Sequence, residues 1–235
     1  MTMNTKTLKK TCRLSNDERR DAIVQSAMEI FAEKGLGGAT TRDLAKAAGV
    51  SEALLYRHFP SKESLYDAVL DSCVGSPTWN EFNRIMKLEA STSTLVILVH
   101  FLISHTALHR DPGKVVIDRL LLQSFLGDGE FLRITMKKCI ASWVDKFADC
   151  LKAADKNGER HDIALQANLA GWLSQHLAMA FTFFDLQAKA PVVNYRMSRE
   201  NLVVQATFFV LLGAGLKLEV IKQYYNPKAL ALLKS

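Results

Sequence analysis

The stretch Thr40–Leu65, TTRDLAKAAGVSEALLYRHFPSKESL, decides the fold of this chain. Thr40 with Asp43 three residues later has the pattern of a capping box, which begins a short helix, and Gly49 ends that helix. Ser51 follows directly and can cap a second short helix. Two short helices joined by a glycine-containing turn are typical of a helix-turn-helix.

A longer helix is predicted upstream of this pair. Ser15 and Glu18 form another capping-box pattern, and Gly35 is a typical helix end. Its apolar stripe has helical spacing and consists of Ile23, Ala27, Ile30 and Phe31. The two short helices carry narrow apolar sides that can pack on this stripe, namely Leu44, Ala45, Ala48, Val50, Leu55 and Phe59. The sequence therefore predicts a three-helix head over residues 15–60.

The free faces of this head carry side chains suited to DNA. Hydroxyl and cationic groups bind phosphates, and small residues let a backbone approach the duplex. The candidate DNA-binding residues are Thr40, Thr41, Arg42, Ser51, Glu52, Ala53, Tyr56, Arg57, His58 and Lys62.

The head resembles the TetR family of one-component transcriptional regulators. The resemblance rests on FAEKG at residues 31–35 and on the whole stretch 40–65. Its most specific part is the aromatic-basic-His-Phe end followed by Ser-Lys-Glu. Beyond Cys73 the chain matches this family only in helix content and length.

The resemblance implies a role for each matching residue. Contacts with phosphate or a groove edge are implied for Thr41 and Arg42. Anchoring of the sugar-phosphate backbone is implied for Ser51, Tyr56, His58 and Lys62. Positions where base edges are read are occupied by Glu52, Ala53 and Tyr56.

Each of these residues has a second interpretation. Tyr56 and His58 could pack at the junction with the following helix. Arg42 could pair with a carboxylate, and Lys62 could simply be solvated. Glu52 could accept from a cytosine amino group, or it could lie in the first helical turn because the helix dipole favours an acidic residue there.

Longer helices are predicted beyond Cys73, at 77–88, 92–110, 114–126, 129–154, 161–189 and 198–219. No strand-like alternation persists anywhere. The predicted fold is all-α and has three parts. They are a basic flexible arm at 1–14, the helix-turn-helix head at 15–60, and a helical effector-binding and dimerisation body at 61–235, in which 61–72 is a linking helix.

The last two long helices, 161–189 and 198–219, are the candidates for a homodimer interface. Small residues that allow close approach occur in the first: Ala164, Ala167, Ala170, Gly171, Ser174 and Ala178. The second offers Leu202, Ala206, Phe209, Val210 and Gly213 at helical spacing. The resemblance implies a four-helix bundle between subunits, and an intrachain core is the alternative.

A small-molecule effector is also implied, held by the body helices between 92 and 185. The candidate pocket residues mix apolar bulk with a few polar tips: Phe101, His105, Phe125, Trp143, Trp172, His176 and Met179. Plain core packing is the alternative for each. The scarcity of charge favours a hydrophobic or aromatic ligand. The expected function is a repressor released from a palindromic operator, and the alternative is a helical ligand- or partner-binding protein that has lost DNA binding.

Charge and cysteine content agree with this function. The net charge is +6, and residues 1–20 hold six basic and two acidic side chains, an excess of +4. Such an arm is typical of nucleic-acid contact, although a solvated tail has the same composition. The four cysteines lack metal-type spacing, which favours reduced thiols in the cytoplasm. No apolar segment follows the basic N-terminus, so no secretory signal is predicted.

Membrane, metal and enzyme functions are not predicted. The uncharged stretches 90–108 and 163–184 contain polar groups that a bilayer would disfavour, so buried helices are expected. His105 and His109 could supply two metal ligands, but no nearby residue completes a site. No nucleotide-binding or nucleophile motif occurs. The expected partners are double-stranded DNA, a second copy of the chain and a small effector, with no cofactor.

Overall fold

The computed structural model describes residues 15–74, 77–108, 112–127, 129–186 and 192–231. Over these ranges the regular structure is helical, with one isolated bridge between Arg160 and Leu216 and no strand. The all-α prediction is therefore confirmed. The predicted arm at 1–14 lies outside the described residues.

The first four helices contain the predicted head and the linking helix. They are α1 (Asn16–Gly38), α2 (Thr41–Ala47), α3 (Glu52–His58) and α4 (Lys62–Val74). The predicted caps of the first three are present: Ser15 accepts from Glu18 N, Thr40 from Asp43 N and Ser51 from Leu54 N. Gly35 bends α1 with a φ of 68°, but the chain then continues as helix to Gly38. With a ψ of 174° as well, Gly35 breaks the regular helix where the sequence predicts its end, and residues 36–38 form a short helical segment beyond the break.

Nine more helices follow within the described residues: α5 (Pro77–Met86), α6 (Thr92–Leu108), α7 (Pro112–Leu126), α8 (Glu130–Thr135), α9 (Ala141–Lys156), α10 (Ala167–Asp185), α11 (Arg199–Gly213), α12 (Leu218–Tyr224) and α13 (Pro227–Ala231). A π-helical turn, Met136–Ile140, joins α8 to α9. Two predicted boundaries were wrong, because α10 begins only at Ala167 and α11 ends at Gly213. α12 and α13 were not predicted.

Two hydrophobic clusters hold the chain together. The head cluster contains the predicted stripes of α1 to α3, and α4 adds Leu65, Tyr66, Val69 and Leu70. Leu120 of α7 and Phe131 of α8 complete it, so the head shares its core with helices of the body. The body cluster is built around α6, against which α9, α10 and α11 pack. The head core thus extends beyond residues 15–60.

α10 and α11 form an antiparallel pair that is joined at both ends. The Arg199 guanidinium at the start of α11 pairs with Asp185 at the end of α10, with Nη1 2.5 Å from Oδ2. At the other end, Arg160 Nε donates to Ala214 O at 2.7 Å, and its Nη2 donates to Leu165 O at 3.0 Å. The two helices thus run in opposite directions, and both pack against α6.

The small residues of α10 face inward, which corrects the predicted dimer interface. Ala170, Gly171, Ser174 and Ala178 are buried within the chain. A Cβ on Gly171 would lie 3.2 Å from Val144 Cγ1 on α9, so these small side chains let α9 approach α10. In α11, Ala206 and Val210 are likewise buried, whereas Phe209 is 69% exposed. Most of the residues predicted for the dimer interface are therefore buried within the chain, and other residues form the outward faces of α10 and α11.

Among the described glycines, Gly215, just after α11, leaves the least space for a side chain. Its φ is +94°, and an added Cβ would lie 2.8 Å from Ile163 Cδ1.

We expect Gly215→Ala to lower the free energy of unfolding by about 1–3 kcal/mol, because alanine rarely adopts a positive φ and its Cβ would clash with Ile163. Urea unfolding monitored by helicity measures the change. Gly213→Ala is the matched control, since nothing lies within 4 Å of its Cβ position. Equal stability of the two variants would contradict this account.

Among the described helices, none is by itself both long and apolar enough to cross a membrane. Thr92–Leu108 and Gly113–Leu126 reach the length and apolar composition of a membrane span only when taken together, and a bend of 93° separates them.

Candidate nucleic-acid interface

The outward face of α3 is exposed to solvent. Glu52, Ala53, Tyr56 and Arg57 are exposed, whereas Leu55 is buried in the head cluster. At about 100° per residue, the four exposed side chains span an arc of roughly 140° on one side of the helix. α3 therefore presents one continuous face that a duplex could contact.

The opposite side of α3 is fixed by packing. Leu55 and Phe59 are 3% and 2% exposed. The Arg20 guanidinium of α1 lies 4.9 Å from the centroid of the Phe59 ring, a cation–π contact. The Ser51 hydroxyl accepts from Leu54 N at 3.2 Å and so caps the first turn. A helix held in this way presents its free face in a defined orientation.

Lys62 links the start of α4 to the start of α2. Its Nζ donates to Ala39 O at 3.1 Å, and the side chain is half-buried. The interpretation of Lys62 as a merely solvated cation is therefore wrong. An ammonium group has three donors, so this bond leaves Nζ able to donate to a phosphate as well. Its DNA contact stays a prediction.

Asp43 and Thr40 cap α2 reciprocally, and α1 contributes to the cap. Thr40 Oγ1 donates to Asp43 Oδ2 at 2.8 Å, and Asp43 N donates to Thr40 Oγ1 at 3.1 Å. Lys34 Nζ of α1 lies 3.0 Å from the same carboxylate oxygen. The hydrogen bond from the Thr40 side chain, followed by that from Lys34, lowers the pKa of Asp43 from 3.8 to about 2. The Thr40 hydroxyl is thus already engaged within the head.

This pKa shift predicts a pH-dependent cost for Asp43→Asn. The pKa is lower in the folded chain, so the carboxylate stabilises the fold above pH 3.8 and loses that effect as the pH falls through about 2. We expect the variant to unfold more easily than the parent at pH 7, with the difference shrinking toward pH 2. Urea unfolding across this pH range tests it, with the exposed Asp162→Asn as control. A difference independent of pH would contradict the assignment.

The remaining candidates divide by exposure. Tyr56 is 47% exposed, so its interpretation as a half-buried packing residue at the junction with α4 stays open. Arg42 is exposed and forms no ion pair with the described residues, contrary to the carboxylate alternative. His58 is half-buried, and its Nε2 has no hydrogen-bond partner in the described structure. Thr41 is half-buried at the first position of α2.

Glu52 lies exposed in the first turn of α3. Its two interpretations, contact with a cytosine amino group and stabilisation by the helix dipole, both stay open.

Three residues that position the interface were not among the predicted site residues: Arg20, Lys34 and Asp43. Asp43 was already visible in the capping-box pattern. The partners of Arg20 and Lys34 are more than eight residues away in sequence, and no local pattern indicates such contacts.

Two of the seven predicted pocket residues, Trp143 and Phe125, lie apart from the other five. Trp143 is 1% exposed and packs on Phe147 with ring centroids 5.2 Å apart, so it belongs to the body core. Phe125 is 60% exposed beside Phe183, so it does not lie in an enclosed pocket. The other five are Phe101 and His105, stacked on α6, and Trp172, His176 and Met179 on α10.

A groove of about 600 Å³ lies between the head and the body, along α1 and α7. It contains none of the predicted pocket residues and is lined by Glu29, Ala32, Glu33, Val116, Arg119, Leu122, Gln123 and Leu186.

The described residues show no cluster of three or more His, Cys, Asp or Glu side chains suited to a metal ion. His109 lies outside them. Cys139 and Cys150 are free and buried, and burial raises the pKa of Cys139 to about 11, so its thiol is unreactive at neutral pH.

Known proteins resemble both parts of the chain. The family model described as bacterial regulatory proteins, tetR family, matches residues 23–69. The HTH-type transcriptional repressor KstR2 of Mycolicibacterium smegmatis is 35% identical over 131 residues, or 54% of this chain and 62% of the repressor. The nucleoid occlusion factor SlmA of Salmonella dublin is 41% identical over 96 residues, or 40% of this chain and 48% of SlmA. The chain thus spans about half to three fifths of the length of these relatives.

Solved structures share the fold over most of the chain. AibR, in complex with isovaleryl coenzyme A and operator DNA, has a TM-score of 0.61 and 16% identity, covering 82% of this chain and 97% of AibR. Salmonella enterica GusR has a TM-score of 0.56 and 17% identity, covering 84% of this chain and 96% of GusR. At these identities the likeness shows the fold alone.

Proposed function

We propose that this chain, whose residues 23–69 match the model of bacterial regulatory proteins of the tetR family, is a dimeric transcriptional repressor. In this proposal α3 enters the major groove of a palindromic operator, and a small ligand bound by the body releases the chain from DNA. DNA as the partner places the protein in the cytoplasm.

The observation that carries the proposal is the free face of α3. Its exposed residues combine an aromatic hydroxyl on Tyr56, a guanidinium on Arg57 and the small Ala53, while the back of the helix is held by the head core. Side chains of this kind contact base edges and phosphates when a helix lies in the major groove. The unpaired Arg42 at the start of α2 and Lys62 at the start of α4 flank this face and would contact phosphates.

The outward faces of α10 and α11 support a dimer. Leu169 and Leu173 of α10 are 48% and 51% exposed, and Phe209 and Leu212 of α11 are 69% and 45% exposed. His176 is the other exposed residue on this part of α10, and Gln205 lies on the same face of α11. No Asp, Glu, Lys or Arg interrupts these two faces between Leu169 and Phe184 or between Asn201 and Leu212.

Two copies of this surface would bury each other. Monomeric proteins rarely expose a contiguous apolar patch of this kind, and a twofold axis lets one surface pair with itself. The resulting interface would be the four-helix bundle that the family resemblance implies, with contacts through Leu169, Leu173, Phe209 and Leu212 rather than the buried small residues. A dimer also presents two copies of α3 to successive major grooves, ~34–36 Å apart.

A ligand would act through the shared core of head and body. α7 packs along α1, and Leu120 and Phe131 of the body helices lie in the head cluster. A ligand that binds one body geometry better than another shifts the spacing of the two heads, because these contacts transmit the difference. The nearly uncharged body helices α6 and α10 favour a hydrophobic or aromatic ligand. An operator affinity that no body-binding compound changes would contradict this part.

Binding of the full chain to a fluorescent mixed-sequence duplex tests the DNA half of the proposal. We expect the chain to bind the duplex at low salt. The logarithm of the association constant should fall linearly with the logarithm of the salt concentration, with a slope of about −0.9 for each phosphate neutralised. Absence of retention at any salt concentration, by a folded dimer, would support a partner-binding protein that has lost DNA binding.

A further inference from the structure

We propose that the ends of α7 and α10 form a second contact with the partner subunit, on the side of the dimer nearer the heads. The surface consists of Phe125, Leu126 and Phe184 and is called the apolar patch below. This inference rests on the dimer of the proposed function and adds α7 to its interface.

The apolar patch is the most exposed group of large apolar side chains near the head. Phe125 and Leu126 are 60% and 72% exposed, and Phe184 is 45% exposed. The ends of α7 and α10 lie next to each other, with the Phe125 ring 6.2 Å from the ring of Phe183, which directly precedes Phe184. Side chains this large and this exposed, side by side, mark an interaction surface rather than scattered apolar residues.

The patch continues the dimer surface along α10. At about 100° per residue, Leu169, Leu173 and Phe184 all point within roughly 60° of one another, on the same side of the helix. His176 and Ala180 lie on this side as well, so no charged residue separates the seam from the patch. A partner that covers Leu169 and Leu173 along the helix therefore extends toward Phe184. This continuity identifies a second copy of the chain as the occupant.

α7 connects the patch to the DNA-binding head. Two residues before Phe125, Gln123 Nε2 donates to Glu33 O of α1 at 3.3 Å. One turn earlier, Leu120 is buried in the head cluster. A partner held against Phe125 and Leu126 would thus restrain the position of α1, and with it the distance between the two copies of α3.

Two experiments on the full chain test the contact. In the first, Phe125→Ser with Leu126→Ser is compared with the parent by sedimentation equilibrium. We expect the dimer dissociation constant to rise ~10–100-fold. Both residues are exposed, so the substitutions should leave the fold intact, and circular dichroism checks that the variant is folded. Leu88→Ser is the matched control, because Leu88 is 41% exposed at the end of α5.

In the second experiment, the photocrosslinker benzoylphenylalanine replaces Phe125 or, as control, Leu88. Irradiation of the purified dimer should yield a covalent dimer from position 125 and none from position 88. A dimer that neither crosslinks at 125 nor weakens in the serine variant would overturn the second contact while leaving the α10–α11 seam intact. A parent chain that is monomeric at all concentrations would overturn both the dimer and the patch.

Discussion

Aspartate at both Leu173 and Phe209 will convert the chain from a dimer to a monomer at micromolar concentration. These side chains are 51% and 69% exposed on the outward faces of α10 and α11, and each would occur twice in a twofold interface. Because about half of Leu173 and about a third of Phe209 are already buried, dimerisation gains ~1 kcal/mol per side chain. Four side chains give about 4 kcal/mol, or a ~1000-fold change in the dissociation constant. Desolvation of the new carboxylates adds to this loss.

Sedimentation equilibrium measures the dissociation constant, and thermal unfolding at high protein concentration checks that the monomer is folded. Leu88→Asp is the matched control, since Leu88 is an exposed leucine that belongs to neither helix. An undiminished dimer in the double variant would show that the outward faces of α10 and α11 are not the interface.

Arg42→Gln with Tyr56→Ala will reduce the affinity of the chain for duplex DNA at least ~100-fold. Both side chains are exposed and hold no role in the head core, so the fold should not change. Each occurs twice in a dimer, and hydrogen bonds involving charged groups contribute about 1.5–3 kcal/mol each. Loss of two Arg42–phosphate contacts should also lower the slope of log K against log salt by about 2.

Fluorescence anisotropy over a salt series measures both the affinity and the slope. Lys87→Gln, which removes one exposed cation at the end of α5, should change neither by a comparable amount. If the head variant and the Lys87 variant bind DNA alike, the free face of α2 and α3 is not the DNA-binding surface.

The head could be predicted from the sequence because its determinants are local. The capping boxes of Ser15 with Glu18 and of Thr40 with Asp43 involve residues three apart, and both are present. The glycine turn at Gly49 has a φ of 64°, which glycine adopts readily. The apolar stripes of the three helices all lie in one core.

The outward faces of the body could not be predicted because helical spacing does not say which side meets which neighbour. Small residues on α10 indicate a close approach, but the helix that approaches is α9 of the same chain, at Gly171. Phe125 and Trp143 are both aromatic residues in body helices, yet one is exposed and the other is in the core. Long-range packing decides between these outcomes.

The end of α11 near Gly215 is another helix boundary that could not be predicted from the sequence. A continuous apolar pattern predicts one helix over 198–219, but the chain turns after Gly213 and begins α12 at Leu218. The turn is held by Arg160, which donates to Ala214 O from 54 residues away. No local signal indicates that contact.

Selection of bound sites from a pool of random duplexes, with the full-length chain, tests the central claim most directly. The account predicts recovery of a palindrome whose half-site centres lie one helical turn apart or a multiple of it, because the dimer presents two copies of α3 related by a twofold axis. Enrichment of an unpaired half-site, or no enrichment over the starting pool, would contradict it.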